Sequence, residues 1–130
     1  MSAFTVEMKN QPGALAELCE AMAARQVNLI LCGTTHGSSG TVAFVAEDEA
    51  AARAVLEGMG LEFTERPALT VRMENRPGTG AATFRKLANA NVNMDLLLPV
   101  HISDELFFAV LCVDDVDAAR SALGEQVVGD

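Results

Sequence analysis

The chain has 130 residues, half of them hydrophobic, which is enough apolar material for one ordinary domain or two very small ones. Its 18 acidic and 9 basic residues give a formal net charge of −9, which repels phosphate backbones and anionic lipids. No cluster of Lys and Arg interrupts this acidity, and no apolar run approaches the length of a membrane-spanning helix. We therefore expect neither nucleic acid nor a membrane as a partner.

The first strand of each half shows strict alternation. Phe4, Val6 and Met8 alternate with polar residues, and the segment 69–74 repeats the pattern, so both predict half-buried strands. An Asn-x-Pro-Gly turn follows each strand, and apolar residues then recur at helical spacing. Short apolar runs, Asn28 to Cys32 and Asn93 to Val100, predict the next strands.

The remainder of each half predicts a hairpin, a helix and a last strand. Residues 36–40 have the composition of a turn, and 41–46 and 106–113 predict the strands after it. Acidic residues then open an Ala-rich helix, where they face the positive end of the helix dipole. Pro99 must lie at a sheet edge or a bulge because it cannot donate to a ladder. A last strand begins near Leu61, and Arg66-Pro67 is predicted to connect the halves.

Three segments of the first half recur in the second half in the same order. Asn10–Gly13 recurs at Asn75–Gly78 and Gln26–Asn28 at Asn91–Asn93, both shifted by 65 residues. An acidic pair followed by Ala-Ala-Arg recurs with a shift of 67 residues. The second copy has therefore gained two residues between the second and the third of these matches. Duplication explains this best. We predict an α+β fold of two ferredoxin-like βαββαβ repeats, 1–66 and 67–130, each an antiparallel sheet with helices on one face.

The Asn-x-Pro-Gly turn has the chemistry of an anion site. Pro suits the first turn of a helix, and Gly allows a ligand to approach the backbone closely. The N–H groups at the helix start have no intrahelical acceptor and carry partial positive charge, so they can hold a carboxylate. An Asn side chain can donate and accept, which suits a zwitterion. A second Asn follows 18 residues later in both copies, at a position that we expect at the same end of the sheet. Simple turn chemistry is the alternative interpretation.

These features resemble the ACT domain, a ferredoxin-like module that binds amino acids and regulates enzymes or transcription. The resemblance covers both halves and rests on two Asn-x-Pro-Gly turns in register with two Val-Asn pairs. It implies effector sites between modules, at the first turn of one and the second strand of its neighbour. By resemblance, the contacting residues are Asn10, Gln11, Pro12, Gly13, Asn28, Asn75, Arg76, Pro77, Gly78 and Asn93.

The chain departs from the family pattern at three places. Serine-sensing relatives of phosphoglycerate dehydrogenase carry a His two residues before the turn Asn, where this chain has Met8 and Met73, which puts serine in doubt. Gly80 replaces the usual Leu after the second turn, so we expect a looser helix start and either a degenerate site or one for a bulkier ligand. Arg76 is equally compatible with a carboxylate clamp and a solvated charge.

Other polar groups favour structural roles. His36 and His101 lie 65 residues apart without a second His or Cys at metal-ligand spacing, so we predict solvated turn residues and no metal. No signal-peptide pattern opens the chain and no C-x-x-C occurs, so we expect a cytoplasmic protein with reduced thiols and no cofactor.

Three functions stay open at this stage. The first is a stand-alone tandem regulatory module that binds a small amino acid or related metabolite and acts on a partner protein or through a homodimer. The second is an adaptor that has lost its ligand site. The third is a small acylphosphatase-like enzyme, which the absence of a nucleophile-base arrangement and Gln11 at the corresponding turn disfavour. We predict a binding protein and no catalytic residues.

Overall fold

The computed structural model describes residues 1–129 and divides the chain into two compact units. One unit is Ser2–Arg66, and the other begins at Pro67 and includes Met1, whose carbonyl accepts a hydrogen bond of 3.0 Å from the Ala68 N–H. No helix among residues 1–129 is long and apolar enough to cross a membrane.

The first unit has the predicted βαββαβ order. Its elements are β1 Ser2–Lys9, α1 Ala14–Ala24, β2 Leu29–His36, β3 Ser39–Ala46, α2 Glu49–Gly58 and β4 Phe63–Pro67. The sheet order is β2-β3-β1-β4, so β2 is an edge strand. The turn predicted at 36–40 is shorter than expected, because His36 pairs with Ser39 and only two residues join the strands. The predicted connection Arg66-Pro67 belongs to β4.

The second unit repeats the same order. Its elements are β5 Leu69–Glu74, α3 Thr79–Asn89, β6 Met94–Ile102, β7 Leu106–Val113, α4 Val116–Leu123, a short 3-10 helix Gly124–Gln126 and β8 Val127–Val128. The sheet order is β6-β7-β5-β8. Among residues 1–129, its last strand pairs with β5 only at Thr70 and Val71, and the 3-10 helix follows along β5, where Gln126 Nε2 lies 3.5 Å from the Arg72 oxygen.

Both helices of a unit pack on the same face of its sheet. In the first unit, Phe4 and Phe44 are cross-strand partners with ring centroids 5.1 Å apart, and Leu18 and Leu56 from the two helices belong to the same buried cluster. In the second unit, Leu69 and Leu111 are the corresponding cross-strand pair. The predicted one-face arrangement is confirmed.

Two β-bulges account for the two extra residues of the second copy. The pairing of β6 with β7 shifts by one residue between Met94 and Leu96 and again between Pro99 and His101. Pro99 therefore lies on an edge strand beside a bulge, as predicted. The shifts also mean that His101 occupies the place of Thr34, not that of His36. The prediction of matching turn histidines is wrong: His101 is a strand residue packed against Phe108, and His36 is the last residue of β2, beside the two-residue turn.

The acidic residues before α2 and α4 are helix caps, as the sequence predicts. Asp48 Oδ1 accepts a hydrogen bond of 3.0 Å from the Ala51 N–H, and Asp115 Oδ1 accepts one of 3.0 Å from the Ala118 N–H. Both carboxylates stabilise the positive end of a helix. These groups are thereby explained without a catalytic role.

Candidate functional site

The turn before α1 leaves the start of the helix open. Gly13 is the N-cap residue and has a φ of 89°, a conformation that an L side chain rarely adopts. No side chain caps this helix, and the first N–H groups of a helix have no intrahelical acceptor. Gly13 thus allows the turn to lead directly into the helix; the Ala14 N–H donates to the Gln11 oxygen at 3.3 Å, and the N–H groups that follow it can face an anion.

A groove lies between this helix start and the end of β2. It encloses about 470 Å³, and one wall is the turn, including Asn10, Gln11 and Leu15. The opposite wall is the segment 33–35 of β2, which consists of Gly33 and two threonines. Because Gly33 has no side chain, the groove stays open, and the neighbouring hydroxyl groups can donate and accept hydrogen bonds. The groove therefore combines a helix start, which carries partial positive charge, with a small, polar wall.

Asn10 connects the turn to the β2-β3 hairpin. Its side-chain Nδ2 donates a hydrogen bond of 2.9 Å to the Gly37 oxygen, and its backbone N–H donates one of 2.9 Å to the Ser38 oxygen. Asn75 does the same in the second unit, where Nδ2 lies 2.7 Å from the Ser103 oxygen. Both asparagines thus have a structural role, and part of their donor capacity is already used.

Asn28 and Asn93 lie at the opposite end of the sheet from these turns. Lys9, just before Asn10, pairs with Ser39 at the hairpin, whereas Leu29, just after Asn28, pairs with Ala46 at the other end of β3. In the second unit, Met94 pairs with Val113 in the same way. The expectation that each Asn pair lies at one end of the sheet is wrong, because α1 and α3 carry the chain back before the next strand starts.

Asn93 has local partners at its own end of the sheet. Its N–H donates to Asp114 Oδ1 at 2.9 Å, and its Nδ2 donates to Asp95 Oδ1 at 3.0 Å. The oxygen of Asn28 accepts a hydrogen bond of 3.3 Å from the Glu47 N–H. These contacts join the start of β2 to the end of β3 in the first unit and the start of β6 to the end of β7 in the second.

The corresponding groove of the second unit is smaller and more apolar. It encloses about 190 Å³ and is lined by Phe84, Leu97 and Phe107 among others. The first bulge brings Leu97 opposite Leu111, and Pro99 takes the place that Gly33 has in the first unit. The helix starts at Thr79, the same position as in the first copy, with Gly78 in the same left-handed conformation, φ 93°. The turn backbone is conserved between copies, and the wall facing it is not.

Arg76 already has a carboxylate partner within the chain. Its Nη2 lies 2.8 Å from Glu74 Oε2, and both side chains are largely exposed. Pro77 and Gly78 follow it at the helix start, on the side of the turn away from β6. Among residues 1–129, no group of three or more His, Cys, Asp or Glu could hold a metal ion.

Sequence reasoning missed the wall residues Gly33, Thr34 and Thr35. The signal was present, since Gly-Thr-Thr interrupts an otherwise apolar strand. Gly in a strand interior often marks a site that another group approaches closely. The predicted site residue of this strand, Asn28, lies at the other end of β2.

Solved structures share this architecture across nearly the whole chain. Protein BT0572 from Bacteroides thetaiotaomicron superposes with a TM-score of 0.86 at 18% identity, covering 98% of this chain and 90% of its own. The regulatory subunit of aspartate kinase from Thermus thermophilus gives 0.73 at 20% identity, covering 96% and 91%.

The chain has an ACT-like fold. A structure described as a putative C-terminal regulatory domain of aspartate kinase from Porphyromonas gingivalis superposes with a TM-score of 0.60 at 10% identity, covering 98% of this chain and 93% of its own. These named aspartate kinase neighbours are regulatory subunits or domains. No family model and no curated protein sequence matches the chain.

Proposed function

We propose that this protein is a regulatory module without catalytic activity, whose first unit binds the carboxylate of a small amino acid or related metabolite. The observation that carries the proposal is the open groove between the start of α1 and residues 33–35 of β2. The ACT-like fold shared with regulatory subunits of aspartate kinase supports the regulatory role.

The chemistry of the groove suits an α-amino acid. The N–H groups at the start of α1 bind the carboxylate, helped by the positive end of the helix dipole. The hydroxyl group of Thr35, on the face of β2 that packs toward the helices, and the Asn10 side chain offer acceptors for the ammonium group. The half-exposed Leu15 provides an apolar contact for the ligand side chain.

The two copies are proposed to have diverged in function. The first groove is larger and has the glycine wall, while the second is narrowed by Phe84, Leu97 and Phe107. A small polar ligand therefore fits the first copy better. The second copy keeps the turn Asn75–Gly78 as a structural element, and its apolar groove accepts at most a small hydrophobic group.

Regulation is proposed to proceed through assembly. β2 is an edge strand with Ile30 exposed and the segment Gly33–His36 exposed, so a second copy of the chain can pair along it. Such a homodimer covers the groove, and ligand binding then favours one packing of subunits or one complex with a partner enzyme.

A thermal-shift screen of the full chain against the twenty amino acids and related metabolites tests the proposal. A ligand at about 100 times its dissociation constant stabilises the protein by roughly 2.7 kcal/mol, which raises the melting temperature by several degrees. Sedimentation with and without the compound that shifts it reports the effect on assembly. The absence of a shift with every compound, together with co-purification of a partner protein, would favour a ligand-free adaptor.

A further inference from the structure

Each unit has a second pocket beside its Asn-x-Pro-Gly turn. This pocket lies on the side of the turn that faces away from β2 in the first unit and away from β6 in the second. The pocket of the first unit has a volume of about 700 Å³, and that of the second unit has about 730 Å³. Each lies against the helix start and the segment after the second helix, which contributes Met59 in one unit and Gln126 in the other. Duplication makes these pockets a matched comparison within one chain.

The charge of the pocket is reversed between the copies. In the first unit, the charged lining residues are three carboxylates, Glu7, Glu17 and Glu62, and the ammonium of Lys9. In the second unit, the charged lining residues among positions 67–129 are three cations and one carboxylate: Arg72, Arg76, Lys86 and Glu74. A local excess of positive charge is unusual in a chain with a formal net charge of −9.

A hydrogen-bonded chain of polar side chains runs from the core to this second pocket. Gln126 Nε2 donates to the hydroxyl of Thr83, which is 1% exposed, at 2.9 Å, and Gln126 Oε1 accepts from Lys86 Nζ at 2.8 Å. At the corresponding positions the first unit has Leu18, Ala21 and Met59. Three polar residues have therefore replaced three apolar ones in a single connected network, which fixes the Lys86 ammonium beside the pocket without neutralising its charge.

We propose that this pocket of the second unit binds a compact dianion, a phosphate or a dicarboxylate, at a site separate from the amino-acid groove. Among residues 1–129, three cations against one carboxylate leave an excess that matches the charge of a dianion. The start of α3 and the half-buried Thr79 hydroxyl add donors at the same place. Guanidinium groups bind phosphate and carboxylate oxygens in the same forked geometry.

An NMR titration of the full chain with inorganic phosphate at constant ionic strength tests the proposal. We expect saturable shifts of the Thr79 and Lys86 amides and of the Gln126 side-chain amide. Lys86→Ala, which copies the first unit, should weaken binding roughly tenfold, since it removes one charge-assisted hydrogen bond. Arg85→Ala is the matched control because it removes an equal charge from an exposed neighbour outside the pocket, and it should leave binding within about twofold.

Succinate and acetate distinguish the ligand classes. We expect a dianion to bind more tightly than acetate. Whichever of phosphate and succinate has the lower dissociation constant identifies the ligand as a phosphate or a dicarboxylate. Absence of saturable shifts, equal weakening by Lys86→Ala and Arg85→Ala, or equally tight binding of acetate would each overturn it.

Discussion

Asn10 Nδ2 donates a hydrogen bond of 2.9 Å to the backbone oxygen of Gly37, which attaches the turn before α1 to the hairpin after β2. A side chain thus connects the turn that forms one wall of the groove to the hairpin that follows the other wall, residues 33–35. An asparagine that the sequence suggested as a ligand contact also shapes the groove.

Replacement of Asn10 should cost stability even without a ligand. We expect Asn10→Ala to lower the free energy of unfolding by about 1 kcal/mol, because the Gly37 oxygen loses its donor. Urea denaturation measures this. Asn28→Ala is the control, since Asn28 is exposed at the other end of the sheet, and it should stay within roughly 0.5 kcal/mol. An equal loss in both variants would contradict the structural role of Asn10.

The two glycines near the helix starts should respond oppositely to alanine. Gly13→Ala places a side chain at φ 89° and should destabilise the protein by about 1 kcal/mol or more. Gly80→Ala lies inside α3, where the new Cβ meets only the edge of the Phe84 ring at 3.4 Å, and should stabilise by roughly 0.5 kcal/mol. Thermal unfolding of both variants checks the sign, and stabilisation by Gly13→Ala would refute the turn geometry.

The sequence allowed the repeated fold to be predicted because duplication supplies two independent samples of each element. Strand and helix types followed from periodicity, and the shift from 65 to 67 located two extra residues between Asn93 and Asp114. Their form was not predictable, because a bulge depends on pairing between strands. The bulges at Asp95 and Val100 then changed which side chains face the groove of the second unit.

The position of Asn28 relative to Asn10 was predicted incorrectly for a geometric reason. An 11-residue helix spans about 16 Å and returns the chain to the end at which β1 began. A residue at the start of β2 therefore lies a full strand length from a residue at the end of β1. Sequence spacing of 18 residues carries no information about this direction.

The Arg53–Glu65 pair predicts a pH dependence of stability in the first unit. Two hydrogen bonds of 2.7 Å from Arg53 hold the pKa of Glu65 below its ordinary value of 4.5, against an opposing effect of partial burial. Because the folded-state pKa is depressed, the stabilisation is present above pH 4.5 and is lost as the pH falls through the folded-state value.

Glu65→Gln should therefore be less stable than the original protein at neutral pH, and the difference should shrink on acidification below pH 4.5. Denaturation curves of both proteins across this range measure the effect. A difference that does not change with pH would show that the ion pair is not its source.

Gly33 offers a way to close the groove without disturbing the fold. A Cβ at this position would meet the Thr41 oxygen at 3.5 Å and Val42 Cγ2 at 3.6 Å, which are ordinary contacts. We expect Gly33→Val to fold normally, since β-branched residues suit strands. It should no longer bind the compound that raises the melting temperature of the original protein. Gly58→Ala is a control for glycine replacement because that residue lies in α2, outside the groove, with open space around it. Unchanged ligand response in Gly33→Val would contradict the assignment of this wall.

The measurement that tests the central claim most directly is an NMR titration of the amino-acid panel, following the amides of Leu15, Ala16 and Gly33 in the original protein and in Leu15→Glu. A carboxylate in the first turn stabilises a helix, and at position 15 it would line the groove and repel an anionic ligand, whereas Glu17 of the same turn lines the pocket on the other side. Leu15→Glu should therefore fold and fail to bind, while the neutral Leu15→Gln loses only the apolar contact and should still bind, more weakly. We predict that one compound shifts the NMR signals of these amides saturably in the original protein and in Leu15→Gln, but not in Leu15→Glu. Shifts that persist in Leu15→Glu, or no shifts with any compound, would contradict a carboxylate site at the start of α1.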